Sequence, residues 1–156
     1  MTSKLGLELL THSEGCRLES YQDDGGKWTI GFGTTMYPFG KPVQPGDKLE
    51  SKEQAFALLQ HDLKIFEVGV AKLVNVPLDQ WEFDALVVLA YNIGLGEKGL
   101  GGSTILKLIN SGGSIDEIEE WWMKWNKIKG KFNQGLLNRR KAEFHLFKTG
   151  TLKYFN

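Results

Sequence analysis

The segment from Phe83 to Tyr91, FDALVVLAY, constrains the fold more than any other feature of this sequence. Asp79 and Glu82 precede it in the arrangement of a helix start, and Gly94 follows it, so the segment is predicted to be helical. Its apolar residues cover nearly the whole circumference of that helix. Such a helix is stable only when other elements surround it, so the sequence predicts a largely helical core.

Further helical patterns supply that packing. Amphipathic spacing with start and stop signals predicts helices over residues 3–12, over 51–74, from Ser103 to the glycines after Ser111, from Ser114 into WWMKW, and from Asn133 or Gln134 to Gly150. From Arg17 to Thr35 the pattern changes to short β-prone pieces around the turn-forming DDGGK, which predicts a β-hairpin or a small meander. Residues 36–50 are rich in proline and glycine and are predicted to form a loop or a distorted extra hairpin. The fold class is therefore α+β and mainly helical.

Length and composition exclude several classes of protein. The chain has 156 residues, of which 41% are hydrophobic, and this suits one folded domain. The longest strongly apolar run, Ala85 to Tyr91, is far shorter than the roughly 20 residues of a membrane span. No export signal is recognisable at the start of the sequence. Cys16 is the only cysteine, so no intramolecular disulfide can form and folding in a reducing cytoplasm is expected.

Charge is unevenly distributed along the chain. Residues 1–120 contain 10 Lys or Arg and 18 Asp or Glu, whereas residues 121–156 contain 9 and 1. A basic tail of this kind indicates a polyanionic partner, or else a solvated basic face. Trp121, Trp122 and Trp125 stand among its lysines, and aromatic and basic residues together can bind nucleic acid. The charge alone does not decide among these readings.

Two carboxyl groups stand where an acid is unusual. Glu14 is predicted to lie just past the end of the first helix, where the helix dipole disfavours a negative charge, and Asp23 lies beside the tight Gly25-Gly26 turn. Glycoside hydrolysis needs one carboxyl group that donates a proton to the leaving oxygen and a second, ionised one. Glu14 and Asp23 are candidates for these roles, although chemistry alone leaves the neighbouring Asp24 open as well.

The spacing of these acids resembles a known family. Eight residues separate Glu14 from Asp23, and five separate Asp23 from Thr29. Thr29 is the first residue of the segment TIGFG. This arrangement resembles the Glu-8-Asp-5-Thr triad of the phage-type lysozymes, glycoside hydrolase family 24. The resemblance continues through GDKLESKEQAFALLQHDL, FDALVVLAYNIG, GGSTILKLIN and GLLNRRKAEFHLFKTGT, which are similar to later segments of that family.

The resemblance implies a fold and an activity. The fold would be lysozyme-like, with a β lobe at residues 12–60, a helical lobe at 1–11 and 74–156, a connecting helix at 51–74 and a cleft between the lobes. The activity would be hydrolysis of the β-1,4 bond between N-acetylmuramic acid and N-acetylglucosamine in bacterial peptidoglycan, with inversion and without metal or cofactor. We expect a monomer that waits in the host cytoplasm for a pore to the wall, or that is carried on a phage particle.

The resemblance also implies roles for individual residues. Glu14 would be the general acid, Asp23 the second carboxylate and Thr29 the hydroxyl that positions water, which leaves Asp24 and Glu19 as surface charges. Arg139 lies where the family places an arginine against the catalytic glutamate. The remaining residues expected to line the sugar site are Tyr91, Asn92 and Ser103 or Thr104.

The sequence departs from the family pattern at Thr34, where many relatives have histidine after Gly-x-Gly, and this puts the local packing in question. Three other functions stay open: a lytic transglycosylase acting on the same bond, a catalytically inactive wall-binding module, and a nucleic-acid-binding protein that uses the basic tail. The intact triad argues against the second and the acidic bulk of the chain against the third. We therefore expect peptidoglycan as partner, with no nucleic acid and no membrane insertion.

Overall fold

A computed structural model of the chain describes all 156 residues. They divide into two compact units. We call Leu10–Ile65 the hairpin unit, and Met1–Leu9 together with Phe66–Asn156 the helical unit. The elements are α1 (Lys4–Glu14), β1 (Arg17–Gln22), β2 (Trp28–Gly31), α2 (Lys52–Leu73), α3 (Gln80–Ile93), α4 (Thr104–Ser111), α5 (Ile115–Met123), β3 (Lys127–Ile128), β4 (Lys131–Phe132) and α6 (Gln134–Thr149).

Helix α3 is the centre of the helical unit, as its composition predicts. Every residue from Asp84 to Ala90 is buried, and the helix packs against α6. Asp84 is the one charged residue in this run, and it is fully buried. Its carboxylate accepts hydrogen bonds from the Ser3 backbone N–H at 3.0 Å and from Gln80 Nε2 at 2.8 Å. The buried carboxylate therefore ties the start of α1 to α3.

The predicted helix boundaries are confirmed at most positions. Ser103, Ser114 and Asn133 are N-caps whose side chains accept backbone N–H bonds, and Gly112 and Gly150 end their helices in the left-handed conformation. None of the six helices is both long enough and apolar enough to cross a membrane.

The prediction for the end of α1 was wrong by two residues. The helix continues through Glu14, which is its last residue and does not lie beyond it. Gly15 ends the helix: its φ is +67°, and its N–H donates to the Thr11 carbonyl at 3.1 Å. A glycine in the left-handed region is a frequent C-terminal signal because it lacks a Cβ. The glycine of SEG, rather than its serine or acid, therefore sets the boundary.

The first hairpin is confirmed, and a second one was not predicted. Strands β1 and β2 are antiparallel, with Tyr21 opposite Thr29, and the register shifts between Arg17 and Tyr21. Strands β3 and β4 form another antiparallel pair in the basic part of the chain, between α5 and α6. Residues 36–50 contain no strand longer than an isolated bridge, and one of these bridges is antiparallel, between Met36 and Pro42. The segment therefore combines the two predicted forms, a loop and a distorted hairpin.

Candidate functional site

Glu14 and Asp23 are both in the hairpin unit and are held by different local devices. Glu14 is half-buried at the C-terminal end of α1. Asp23 is exposed in the turn between β1 and β2, where its Oδ1 accepts the backbone N–H groups of Gly25 at 2.9 Å and Lys27 at 2.8 Å. Its own N–H donates to the Lys27 carbonyl at 2.9 Å. The turn therefore fixes the direction of the Asp23 carboxylate through one oxygen.

Thr29 is the third member of the predicted triad and lies on β2. Its side chain is buried, with 4% of the residue exposed. The hydroxyl donates to the Lys27 carbonyl at 3.0 Å. Because a hydroxyl has a single proton, Thr29 Oγ1 can only accept a hydrogen bond from any further partner.

Tyr21 is paired with Thr29 and is affected by the charges of Glu14 and Asp23. It is directly opposite Thr29 in the β1–β2 ladder, and the Arg17 guanidinium lies 4.4 Å from the centre of its ring. The pKa of Tyr21 is raised, first by burial and then by the negative charge of Glu14, with Asp23 adding to it and Arg17 opposing it. Glu14 and Asp23 therefore both lie within electrostatic range of one phenol, beside the Thr29 strand.

Thr34 stands where many relatives have histidine, and its packing is intact. It is fully buried, and its backbone N–H and carbonyl both bond to Ile30, at 2.9 and 2.8 Å. Its hydroxyl donates to Asp62 Oδ2 on α2 at 2.8 Å. A hydrogen bond from a hydroxyl to a carboxyl group thus links Thr34, which is paired with Ile30 of β2, to α2.

The predicted sugar-contacting residues Tyr91, Asn92 and Arg139 lie in the helical unit. The ring of Tyr91 meets Phe66 edge to face, with centroids 5.2 Å apart. Asn92 Oδ1 accepts from Arg140 Nη2 at 2.6 Å. Arg139 Nε pairs with Glu143 Oε2 at 3.4 Å. Their contact with sugar stays a prediction.

The Ser103 side chain forms hydrogen bonds to the backbone at the start of α4. Its hydroxyl donates to the Leu100 carbonyl at 2.8 Å and accepts the Leu106 N–H at 3.1 Å, and 5% of the residue is exposed. The side chain therefore serves as the N-cap of α4. Its part in binding sugar also stays a prediction.

Sequence reasoning missed a buried charge cluster beside Asn92. Arg140 and Glu143 on α6 are both fully buried and form an ion pair of 2.9 Å. The indole N–H of Trp122 donates to Glu143 Oε1 at 3.2 Å. One signal in the sequence could have indicated the pair: Glu143 is the single acid after Glu120, and it lies one helical turn from Arg140.

The side chains of the chain include no group of three or more His, Cys, Asp or Glu arranged to hold a metal ion. The chemistry available at Glu14, Asp23 and Thr29 is that of two carboxyl groups and a hydroxyl.

Comparison with known proteins places the chain in a family. The family model described as phage lysozyme matches residues 11–143, a range that contains every residue of the predicted site. The chain belongs to the phage lysozyme family. The lysozyme-like α+β fold follows from solved structures as well: the endolysin from Escherichia coli O157:H7 phage FAHEc1 superposes with a TM-score of 0.87 and 38% identity, covering 98% of this chain and 96% of that one.

This member of the phage lysozyme family is also similar in sequence to two curated endolysins. It is 40% identical over 153 residues to the endolysin of Bacillus phage B103, covering 97% of this chain and 55% of that protein. It is 37% identical over 145 residues to the endolysin of Salmonella phage P22, covering 93% of this chain and 96% of that protein. The chain thus spans about half the length of the Bacillus phage relative and nearly all of the Salmonella phage relative.

Proposed function

We propose that this member of the phage lysozyme family hydrolyses the β-1,4 bond between N-acetylmuramic acid and N-acetylglucosamine in bacterial peptidoglycan. The observation that carries the proposal is that Glu14, Asp23 and Thr29 all lie in the hairpin unit, with Asp23 in the turn that joins β1 to β2 and Thr29 on β2. The family match and the endolysins among the relatives support the same substrate.

In the proposed reaction Glu14 is the general acid. It donates its proton to the glycosidic oxygen as the bond from that oxygen to the anomeric carbon breaks, which leaves an oxocarbenium-like centre. Glu14 is half-buried and is the last residue of α1.

Asp23 and Thr29 position the attacking water. The Thr29 hydroxyl already donates its proton to the Lys27 carbonyl, so the water donates one hydrogen bond to Thr29 Oγ1. Asp23 Oδ1 already accepts the backbone N–H groups of Gly25 and Lys27. Oδ2 is therefore the oxygen that accepts the second proton of that water. Water placed in this way attacks the anomeric carbon from the face opposite the leaving group, and the configuration is inverted.

The proposal extends to where the protein acts. Like the endolysins that it resembles, it would reach the wall from the host cytoplasm through a pore and act there as a monomer, on peptidoglycan rather than on nucleic acid or within a membrane.

Analysis of product ends tests the reaction. Purified peptidoglycan digested by the full chain should yield new reducing muramic ends, detected by mass spectrometry, and the newly formed anomer should be inverted when observed by proton NMR during the first turnovers. Anhydromuramic ends would show a transglycosylase and would overturn hydrolysis. Absence of any new ends would overturn the enzymatic proposal as a whole.

A further inference from the structure

The hairpin formed by β3 and β4, Lys127–Phe132, has no role in the chemistry above. We propose that this cationic hairpin is a docking surface for a linear polyol-phosphate polymer attached to the bacterial wall. The inference rests on the proposed function, because that function brings the protein to the bacterial wall to which the polymer is attached. The structural evidence for it comes from the hairpin and the residues around it.

The cationic hairpin projects its side chains into solvent. All six of its residues are exposed, including Ile128 at 38% and Phe132 at 58%. Only two residues, Lys129 and Gly130, separate the strands, and both have positive φ, +50° and +78°. Two such residues make the tight turn that suits the twist of an antiparallel pair. The base is closed by the Asn133 N–H, which donates to the Asn126 carbonyl at 2.8 Å.

The backbone conformation of Lys129 is unfavourable for a lysine. It is the only residue other than glycine with a positive φ in the chain. Asparagine, aspartate and glycine adopt this conformation more readily than lysine does. A lysine at the tip of the turn therefore weakens the hairpin while placing a charge at its most accessible point, which indicates that the charge itself is used.

The surroundings leave the positive charge of the hairpin unopposed. No Asp or Glu occurs from residue 121 to 142. The nearest lysine before the hairpin, Lys124, is already engaged: it lies 3.7 Å from the centre of the Trp121 ring and 3.8 Å from Glu120 Oε1. Lys127, Lys129 and Lys131 have no carboxylate within ion-pair distance. Three ammonium groups on six residues attract a polyanion.

The positions of the apolar side chains favour a polyol phosphate. Lys127 is paired with Phe132 and Ile128 with Lys131, and paired residues of antiparallel strands share a face. Each face thus carries one ammonium group and one exposed apolar side chain. A polymer that alternates phosphates with short carbon chains offers a partner to both.

Two other polyanions fit less well. Tip-first insertion into an anionic membrane would bury the charge of Lys129 first, which is costly. Single-stranded nucleic acid is held largely by stacking on aromatic platforms, and the hairpin has one aromatic ring, Phe132.

The test measures binding to walls that are not being digested. Every chain carries Glu14→Gln, and cosedimentation is measured with insoluble walls bearing poly(glycerol phosphate), before and after acid removal of that polymer. Replacing Lys127, Lys129 and Lys131 together by Gln should weaken binding to polymer-bearing walls by about 10- to 100-fold. It should also make the dependence of log K on log salt shallower by about 2, for three lost phosphate contacts. Binding to stripped walls should not change.

A matched variant controls for net charge. Lys64→Gln, Lys72→Gln and Lys107→Gln remove the same charge from exposed positions elsewhere and should keep most of the binding. Equal losses in the two triple variants, equal binding to stripped and intact walls, or a preference for single-stranded DNA or anionic vesicles over the polymer would each overturn the proposal.

A single substitution separates docking from folding. Lys129→Asn suits the left-handed turn better, so it should raise the melting temperature while weakening polymer binding. If binding rises together with stability, the lysine is not used for docking. Activity is measured separately on stripped walls with the wild type, in which Glu14 is intact. If the wild type does not cleave stripped walls, the proposed function is refuted. If binding does not depend on the polymer, the docking surface is refuted.

Discussion

Asp62 illustrates how one residue makes stability depend on pH. Its pKa is raised, chiefly by burial, although the hydrogen bond from Thr34 and the charge of His61 oppose the shift. A carboxyl group with a raised folded-state pKa binds its proton more tightly in the folded protein than in the unfolded chain. The free energy of unfolding therefore falls as pH rises from about 4 through the folded-state pKa of Asp62.

Asp62→Asn should remove that fall. The asparagine Oδ1 can still accept the Thr34 hydroxyl, but it cannot ionise. In denaturant unfolding at a series of pH values, the stability of the variant relative to the wild type should increase as pH rises through this window and then become constant. Asp24→Asn, at an exposed turn position, is the control. A relative stability of Asp62→Asn that is flat or decreasing over the window would contradict this account.

Tyr37 provides a second titration at high pH. Burial and the hydrogen bond from its hydroxyl to Asp47 Oδ2, at 2.7 Å, raise its pKa to about 12. Stability linked to the neutral phenol is complete below pH 10 or so and is lost as pH rises through the folded pKa. Asp47→Asn should lower the pKa of Tyr37 but keep it above the ordinary value, because burial is the larger cause. Alkaline titration followed by phenolate absorbance, with Tyr37→Phe to assign the signal, measures this shift; an unchanged pKa would rule out the role of Asp47.

Residue-scale features were predictable only where they are local. Glu14, Asp23 and Thr29 lie within sixteen residues and show a recognisable spacing. The partner of Thr34 could not be found in this way, because Asp62 is 28 positions away and only the folded chain brings the two together.

At the scale of elements, α1 and α3 approach closely at Gly6. A Cβ added there would lie 2.6 Å from Thr2 Cγ2 and 2.9 Å from Asp84 Cβ. Asp84 is fully buried and bonded to Ser3 and Gln80, so it has little freedom to move.

Gly6→Ala should therefore destabilise the protein. Alanine in a helix normally adds about 1 kcal/mol relative to glycine, but overpacking here should lower the free energy of unfolding by about 1 to 3 kcal/mol. Chemical denaturation measures the change. Gly96→Ala, where an added Cβ meets no atom within 4 Å, is the control. A stabilised Gly6→Ala variant would show that α1 and α3 are not in contact at this point.

Helix α6 carries the buried ion pair of Arg140 and Glu143. Replacing Glu143 by Gln removes the buried anion that pairs with Arg140 at 2.9 Å, so it should cost about 3 to 5 kcal/mol of stability. Glu120→Gln, which breaks the exposed 3.8 Å pair with Lys124, should cost no more than about 1 kcal/mol. Parallel urea titrations compare the two. Similar small losses in both variants would show that the buried cluster does not hold α6.

Elements were predictable where the signals act along the chain. Ser103, Ser114 and Asn133 mark their helix starts by side-chain caps, and these were found correctly. The β3–β4 hairpin was missed because each strand is two residues long and its turn carries lysine where Asn-Gly is the usual signal. The buried Arg140–Glu143 pair was missed because a charged pair on a helix is usually solvated.

At the scale of the whole molecule, the family could be predicted from the sequence because its motifs extend over most of the chain, as the match to residues 11–143 confirms. The fold class could also be predicted, since a helix whose apolar residues cover nearly its whole circumference, such as α3, must be surrounded by other helices. The surroundings of Asn92 and Arg139 could not, because they depend on the packing of α3 against α6 and on α5, which contributes Trp122.

The central claim is that Glu14 is the general acid of a peptidoglycan hydrolase. The most direct test is release of reducing ends from purified peptidoglycan by the wild type, Glu14→Gln and the matched variant Glu19→Gln, with circular dichroism to verify folding. We predict that Glu14→Gln loses at least about 100-fold in rate while remaining folded, and that Glu19→Gln, altered at an exposed position on β1, retains activity. A folded Glu14→Gln variant that cleaves as fast as the wild type would contradict the account.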